Sequence, residues 1–174
     1  SRDGTCAIVK NLAKSDPRIK LLHNPKRLQA AAINLGALWA DPRATILLRA
    51  DCHALYPEDF VEQVTAPLRE KRAHSVVVPM VTKGGAFLQR AIAYAQNSVL
   101  GNGGAAHRKL SASGYVDHGH HAAIFRHVFA EIGGYRDDMA ANEDAEFDLR
   151  LRRLGYSIWL AREAAITYFP RKTF

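Results

Sequence analysis

A chain of 174 residues that is 48% hydrophobic and 24% charged, with only 7 prolines, has the size and make-up of one globular domain. That excludes an extended disordered chain, a collagen-like repeat and a low-complexity linker. Lysine and arginine number 24 against 17 aspartates and glutamates, a net +7, so the composition points to an anionic partner: nucleic acid, lipid or phosphate.

No run approaches the ~20 apolar residues of a membrane span, and the first residues lack a signal-peptide pattern. Cys6 and Cys52 have neither a metal-ligand spacing nor a disulfide framework, which favours a reduced, cytosolic setting. The opening Ser1-Arg2-Asp3-Gly4-Thr5 reads as the middle of a turn, so a missing N-terminal part is expected.

In chain order, Asp3 is placed to cap a helix that runs to about Lys14, with Ile8, Val9 and Leu12 on one face. After a short apolar run at residues 19–22, the spacing of Leu28, Ala31, Ala32, Leu35, Leu38 and Trp39 predicts a helix over 28–40. A strand over 45–48 ends in polar Arg49-Ala50-Asp51-Cys52-His53, and a helix starts near Pro57-Glu58-Asp59. Pro67 is expected to break or kink that helix. Residues 75–78 read as a buried strand and 86–100 as a helix, followed by the irregular Gly101-Asn102-Gly103-Gly104. Residues 114–125 look extended with a histidine-rich centre, and 128–132 form a short helix ended by Gly133-Gly134. A helix over 143–154, stopped by Gly155, and strands over 157–160 and 165–169 complete the chain. Helices alternating with strands predict an α/β/α sandwich around a mostly parallel central sheet, with ligands at the carboxyl ends of the strands.

Four constellations carry chemistry. Asp51 and His53 project to the same side of an extended chain and so could share a divalent cation; the triplet by itself reads equally as a polar strand end. Glu143, Asp144, Glu146 and Asp148 cluster at a helix start, where dipole matching and i,i+4 pairing compete with a general-base role, for which Asp144 is the choice. In Asp117-His118-Gly119-His120-His121 the histidines lack a helical metal spacing, leaving a polar substrate-facing loop or a plain surface loop ahead of a zinc site. Asn24-Pro25-Lys26-Arg27 places cations before a helix start, where a phosphate would sit. The glycines at 101–104 lack a phosphate-loop ending, and no Gly-x-Ser-x-Gly elbow is present.

The order of SRDGT, NPKRLQAAAINLG, ILLRADCHALYP, GYVDHGHHAAIFRHVFAEIGGY, NEDAEFDLRLRRLGYSIWL and YFPR is more specific than any one of them. It resembles the inverting glycosyltransferases of family 2, which have a Rossmann-like GT-A fold, and within them the bacterial exopolysaccharide enzymes of the succinoglycan-biosynthesis type. The likeness starts late: the family's first strand and helix should lie before Ser1, making the domain N-terminally truncated. Residues 1–56 would form the donor nucleotide-binding part and 57–174 the acceptor and catalytic part of a single domain.

The resemblance implies transfer of a sugar from a nucleotide-diphosphate sugar, a UDP-sugar by expectation, to a hydroxyl acceptor on a saccharide or lipid-linked saccharide. It implies membrane association at the cytoplasmic face of the plasma membrane, and no nucleic-acid partner. The family's Asp-x-Asp maps onto Asp51-Cys52-His53, making Asp51 and His53 the implied ligands of Mg2+ or Mn2+. The Glu-Asp pair maps onto Glu143-Asp144, making Asp144 the implied base. Arg27, Asn34 and Asp51 fall in the donor-lining segments, and Asp117, His118 and Tyr135 are the acceptor-side candidates. Tyr168 stands where many relatives carry a late histidine ligand. The Gln-x-x-Arg-Trp motif of processive synthases is missing, which favours addition of a single sugar. Competing readings are a nucleotide-sugar-binding module without transfer activity, a nucleic-acid-binding domain and a nucleotidyltransferase.

Overall fold

The computed structural model describes residues 4–85, 87–98 and 112–169. Its elements in chain order are α1 (Thr5–Ser15), α2 (Gln29–Trp39), β1 (Ile46–Leu48), β2 (Ala54–Leu55), α3 (Phe60–Glu70), β3 (Ser75–Val78), β4 (Met80–Thr82), α4 (Phe87–Asn97), β5 (Gly114–Val116), β6 (His120–Phe125), α5 (Arg126–Ile132), α6 (Glu143–Arg153), β7 (Ile158–Leu160) and β8 (Ile166–Tyr168). The glycine loop at 101–104 lies outside the described residues.

β3 organises the layers. All four of its residues are buried, and successive side chains point to opposite faces. Val77 joins a core with Ala30 of α2, Val128, Phe129 and Ile132 of α5, and Phe147 and Leu151 of α6. Val76 and Val78 join a second core with Phe60, Val64 and Leu68 of α3. A sheet buried on both faces needs this continuous β-branched run, and it separates α2, α5 and α6 from α3 as the outer layers.

The larger sheet has the order β1-β6-β3-β7-β5, and the smaller one β2-β8-β4. The expected α/β/α layering is present, but the strand directions correct the sequence reading of a mostly parallel sheet. In the larger sheet only β3 and β7 run parallel; β1 with β6, β3 with β6 and β5 with β7 are antiparallel. Alternation of helix and strand reports which faces are covered, not which way a strand enters. β6 follows β5 through residues 117–119 without a helical crossover, and inserts between β1 and β3 running against both.

Other departures are local. α3 continues through Pro67, which lies buried in the helix's last turns: only its own missing amide leaves the ladder, and its carbonyl still accepts from the Lys71 amide at 3.0 Å. α2 turns Ala30, Ile33 and Ala37 inward rather than the expected Leu38 and Trp39, which are 75% and 55% exposed. In α1 no residue is buried, and Ile8 and Leu12 face solvent. No helix among the described residues is long and apolar enough to cross a membrane.

Candidate active site

The chain leaves β1 at Leu48, and the Arg49 amide still donates to the Ala122 carbonyl at 2.9 Å, so extended backbone persists for one more pair. Beyond it, Asp51 is pinned by Tyr56, whose hydroxyl accepts from the Asp51 amide and donates to the Asp51 carbonyl at 3.2 Å. At the same end of the sheet β6 begins with His120, and α6 begins with Glu143 and Asp144, whose negative charges suit the positive end of the helix.

On α6, Asp144, Asp148 and Arg152 recur at four-residue spacing and form one stripe. The β5–β6 link runs along that stripe. Asp117 pairs with Arg152, and His118 Nδ1 lies 2.9 Å from Asp148 Oδ2. The Gly119 amide donates to the same oxygen at 3.2 Å. His120 Nδ1 is 3.9 Å from Asp144 Oδ2, and His121 Nδ1 is 3.7 Å from Asp144 Oδ1. The histidine-rich loop is thus an ordered strand start paired to a helix of carboxylates.

Arg49 joins this stripe to Asp51. Its side chain is 10% exposed, with Nη1 at 2.7 Å from Asp144 Oδ1, Nε at 3.3 Å from Asp51 Oδ1 and Nη2 at 4.0 Å from Glu143 Oε1. Burial works against its charge, but Asp144 and Asp51 outweigh it, and the guanidinium stays protonated. Burial raises the Asp51 carboxyl, and the charge and hydrogen bonds of Arg49 more than reverse this, leaving it below the usual carboxylate value. Gln29, at the start of α2, donates to Asp51 Oδ1 at 3.2 Å.

The two adjacent histidines are shifted in opposite directions. Burial and the nearby Arg49 cation push His120 down to about 4, so it is a neutral imidazole at neutral pH. For His121 burial also opposes charge, but the carboxylate and hydrogen bond of Asp148 win and move it upward. Asp148 moves the matching way: burial raises it, and His121 and His118 bring it below the usual carboxylate value.

Two cavities open here. One of about 530 Å³ lies between α2 and the β1 edge, lined by Gln29, Ile33, Arg49, Asp51, His121 and Tyr135 among others. A smaller one of about 190 Å³ is lined by Met80, His118, His120, Asn142, Glu143 and Asp144. The first draws on both sides of residue 56, and Arg49 stands between the two sets of carboxylates.

The structure gathers Asp51, Glu143 and Asp144 around Arg49, and places His118 beside Glu143 and Asp144 in the smaller cavity. Arg27 is exposed in the loop before α2 with φ of 56°, and the neighbouring Lys26 pairs with Asp137 at 2.6 Å. His53 is exposed, with its ring edge-on to Tyr168 at 5.1 Å. Asn34 holds the far side of the site: its amide donates to the Tyr135 carbonyl at 2.8 Å and accepts from the Tyr135 amide at 2.9 Å. Arg150 secures the same turn, donating to the carbonyls of Ile132 at 2.6 Å and Gly134 at 2.8 Å. Tyr135 is 5% exposed, with its hydroxyl on His121 Nδ1, and Asp117 sits two turns along α6 from Asp144.

Arg49 and Gln29 escape the motif reading, and His121 and Asp148, although inside two of its constellations, are given no role by it. Two signals were present: Arg49 stands two residues before Asp51 on the same side of an extended chain, and Asp148 one helical turn after Asp144.

No group of three His, Cys, Asp or Glu side chains among the described residues is placed to hold a metal ion by itself. Asp51 with His53 two residues on offers one carboxylate and one imidazole. That donor set fits a Mg2+ or Mn2+ ion shared with substrate phosphates, the usual arrangement for Mg2+, rather than a closed protein cage.

Residues 1–133 match the family described as "Glycosyl transferase family 2". The chain is 43% identical over 171 residues to the succinoglycan biosynthesis protein ExoA of Rhizobium meliloti (strain 1021), covering 98% of this chain and 52% of that protein. It thus spans about half the length of that curated relative. Among solved structures it is similar to GalNAc-T7 with UDP, GalNAc and Mn2+ (TM-score 0.70, 13% identity, 98% of this chain and 35% of that one). It is also similar to the mannosyltransferase PcManGT from Pyrobaculum calidifontis in complex with GDP-Man and Mn2+ (TM-score 0.65, 19% identity, 100% of this chain and 47% of that one). Both likenesses are of fold, and the fold is GT-A.

Proposed function

The chain belongs to glycosyltransferase family 2, and from that premise we propose that it is the core of an inverting enzyme that moves a sugar from a nucleotide-diphosphate sugar to a saccharide hydroxyl. The observation that carries this reading is Arg49: one buried guanidinium draws Asp51 and Asp144, 93 residues apart, to the same end of the sheet.

The donor occupies the larger cavity, with Asp51 and Gln29 at one end and Arg27 at the loop before α2. Asn34 contributes by fixing Tyr135. The acceptor enters the smaller cavity past His118, with Asp117 further out along α6. Asp144 Oδ1 is held by Arg49, whereas Oδ2 has only His120 Nδ1 at 3.9 Å, beyond hydrogen-bond reach. Oδ2 is therefore the oxygen that takes the acceptor proton. The acceptor oxygen attacks the anomeric carbon from the face opposite the diphosphate. The bond to the diphosphate breaks with its electron pair on the leaving oxygen, through an oxocarbenium-like centre. Glu143 supports Arg49 from the start of α6. When bound at Asp51, with His53 beside it, Mg2+ or Mn2+ supplies positive charge to the departing diphosphate.

The 43% identity to a succinoglycan biosynthesis protein favours a saccharide acceptor in exopolysaccharide synthesis. Transfer assays on the full-length protein with UDP-, GDP- and TDP-sugars test the reading. Asp144→Asn is expected to slow transfer by about 10² to 10⁴-fold, the usual share of a general base, with donor binding retained. Transfer by that variant at the wild-type rate would overturn it.

A further inference from the structure

No aspartate or glutamate stands between Glu70 and Asp117, while the 46 residues between them hold six lysines and arginines. The other 128 residues carry 18 cations and 17 acids, so nearly all of the net +7 belongs to this one stretch. Elsewhere several exposed cations sit beside acids, as Arg18 with Asp16, Arg43 with Asp41 and Arg136 with Asp138. Within this stretch the sequence offers them none.

α4 lies inside that stretch and packs against β4. Phe87 and Tyr94 are 82% and 81% exposed, seven residues apart and therefore on one side of the helix. At ~1.5 Å per residue they stand about 10 Å apart along its axis. Arg90 and Ala91, one turn on from Phe87, are exposed between them, and Lys83 is exposed in the turn that leads into the helix. Ala93, on another side, is buried. A single exposed apolar residue is ordinary, but two aromatic rings aligned with a cation make a directed surface.

We propose that this face of α4, together with Lys83, docks on an anionic lipid bilayer. Phe87 enters the boundary between headgroups and acyl chains, and Tyr94 keeps its ring there with its hydroxyl toward water. Arg90 and Lys83 meet the lipid phosphates, and the missing carboxylates spare the helix any repulsion from them. A nucleic acid needs cations spaced along its phosphates, whereas here two cations flank an apolar strip. β4 begins with Met80, which lines the smaller cavity, so docking α4 brings the strand bearing that wall near the bilayer. A lipid-linked saccharide would be presented to the acceptor side there. That consequence rests on the proposed transferase activity; the docking itself does not.

The test uses the full-length protein and phosphatidylcholine vesicles with or without phosphatidylglycerol. In Phe87→Trp the added indole emission should be quenched by chain-brominated lipids when phosphatidylglycerol is present, and raised salt should reverse this. The readout reports on α4 alone, whatever else in the protein touches lipid, and Tyr94→Trp repeats it seven residues on. Arg90→Gln and Lys83→Gln, each added to Phe87→Trp, should lower the equilibrium between docked and free helix about fivefold, the worth of one cation near such a surface. An indole equally open to aqueous iodide with and without phosphatidylglycerol would overturn the docking, whatever the transfer rate. Quenching unchanged in both glutamine variants would overturn an anionic partner. A single-stranded oligonucleotide that shields the indole better than the vesicles would assign the face to nucleic acid instead. Asp144→Asn should dock as the wild type does, so loss of transfer and loss of docking are told apart.

Discussion

Arg49 Nη1 lies 2.7 Å from Asp144 Oδ1, an ion pair that closes 95 residues of chain at the end of the sheet where three carboxylates converge. Without the guanidinium, Asp51, Glu143 and Asp144 would face one another in a partly dry space. Removing one partner of a buried ion pair typically costs about 3–5 kcal/mol, because the charge left behind is uncompensated. Arg49→Met is therefore expected to lower the urea midpoint substantially and to lower donor affinity with it. An unfolding curve that overlays the wild type would show that the arginine does not hold the carboxylates together.

Asn34 and Tyr135 make a second long-range closure, with both ends of one carboxamide on one backbone unit. Gly134, beside it, has φ of 69°, and a Cβ there would come within 2.6 Å of Asn34 Oδ1. Asn34→Ala leaves two half-buried backbone groups unpaired and is expected to destabilise the protein by about 1–3 kcal/mol. Gly134→Ala strains the same turn and should be destabilising in thermal unfolding, and its effect in the double variant with Asn34→Ala should be smaller, since the clash is gone.

The Asp148–His121 pair makes stability depend on pH at both ends. Asp148 titrates below its ordinary 3.8 in the folded state, so its contribution is present above that value and is lost as pH falls through the lowered one. His121 titrates above its ordinary 6.5, so its contribution is complete below 6.5 and is lost as pH rises through the raised value. The pair's own contribution should therefore be level between these limits, whereas His120, held down to about 4, makes the unfolding free energy decline as pH falls below 6.5. In denaturant titrations Asp148→Asn should flatten the two outer shoulders and leave that decline. Unchanged shoulders in that variant would assign the pH dependence to other groups.

Asp51 faces the larger cavity and the α2 loop. Calorimetry of Asp51→Ala with UDP and Mn2+ is expected to show donor binding weakened at least about tenfold, the scale of one lost charge-assisted contact. Asp144→Asn should bind as the wild type does. Equal binding by Asp51→Ala and wild type would remove Asp51 from the donor site.

Phe147 is fully buried among Phe129, Tyr135 and the ring of His121. Phe147→Leu keeps most of the apolar volume yet removes the edge-on contact with His121. It is expected to cost less than the ~3–5 kcal/mol of Phe147→Ala in chemical denaturation. A denaturation midpoint as low as that of Phe147→Ala would show that the ring contacts, rather than the filled volume, hold this part of the core.

Much of this protein is written locally. Helical spacing placed α2 and α6 to within a residue, because periodicity and caps act over a few residues. The β-branched run at Ser75–Val78 marked the central strand for the same reason, and the order of short motifs marked the family. What only the tertiary structure decided depends on pairs far apart in the chain. The direction in which β6 enters the sheet, the inward face of α2, and the use of Asn34 to hold Tyr135 follow from which surfaces meet, and no local pattern encodes that. Arg49, His121 and Asp148 are ordinary polar residues in sequence. They become a site only when burial strips water from them and leaves each charge dependent on a partner 27 to 95 residues away. The length, composition and +7 charge with which the chain is first met fit one domain with an anionic partner. Folding concentrates the decisive charges, of both signs, at one end of a mixed sheet.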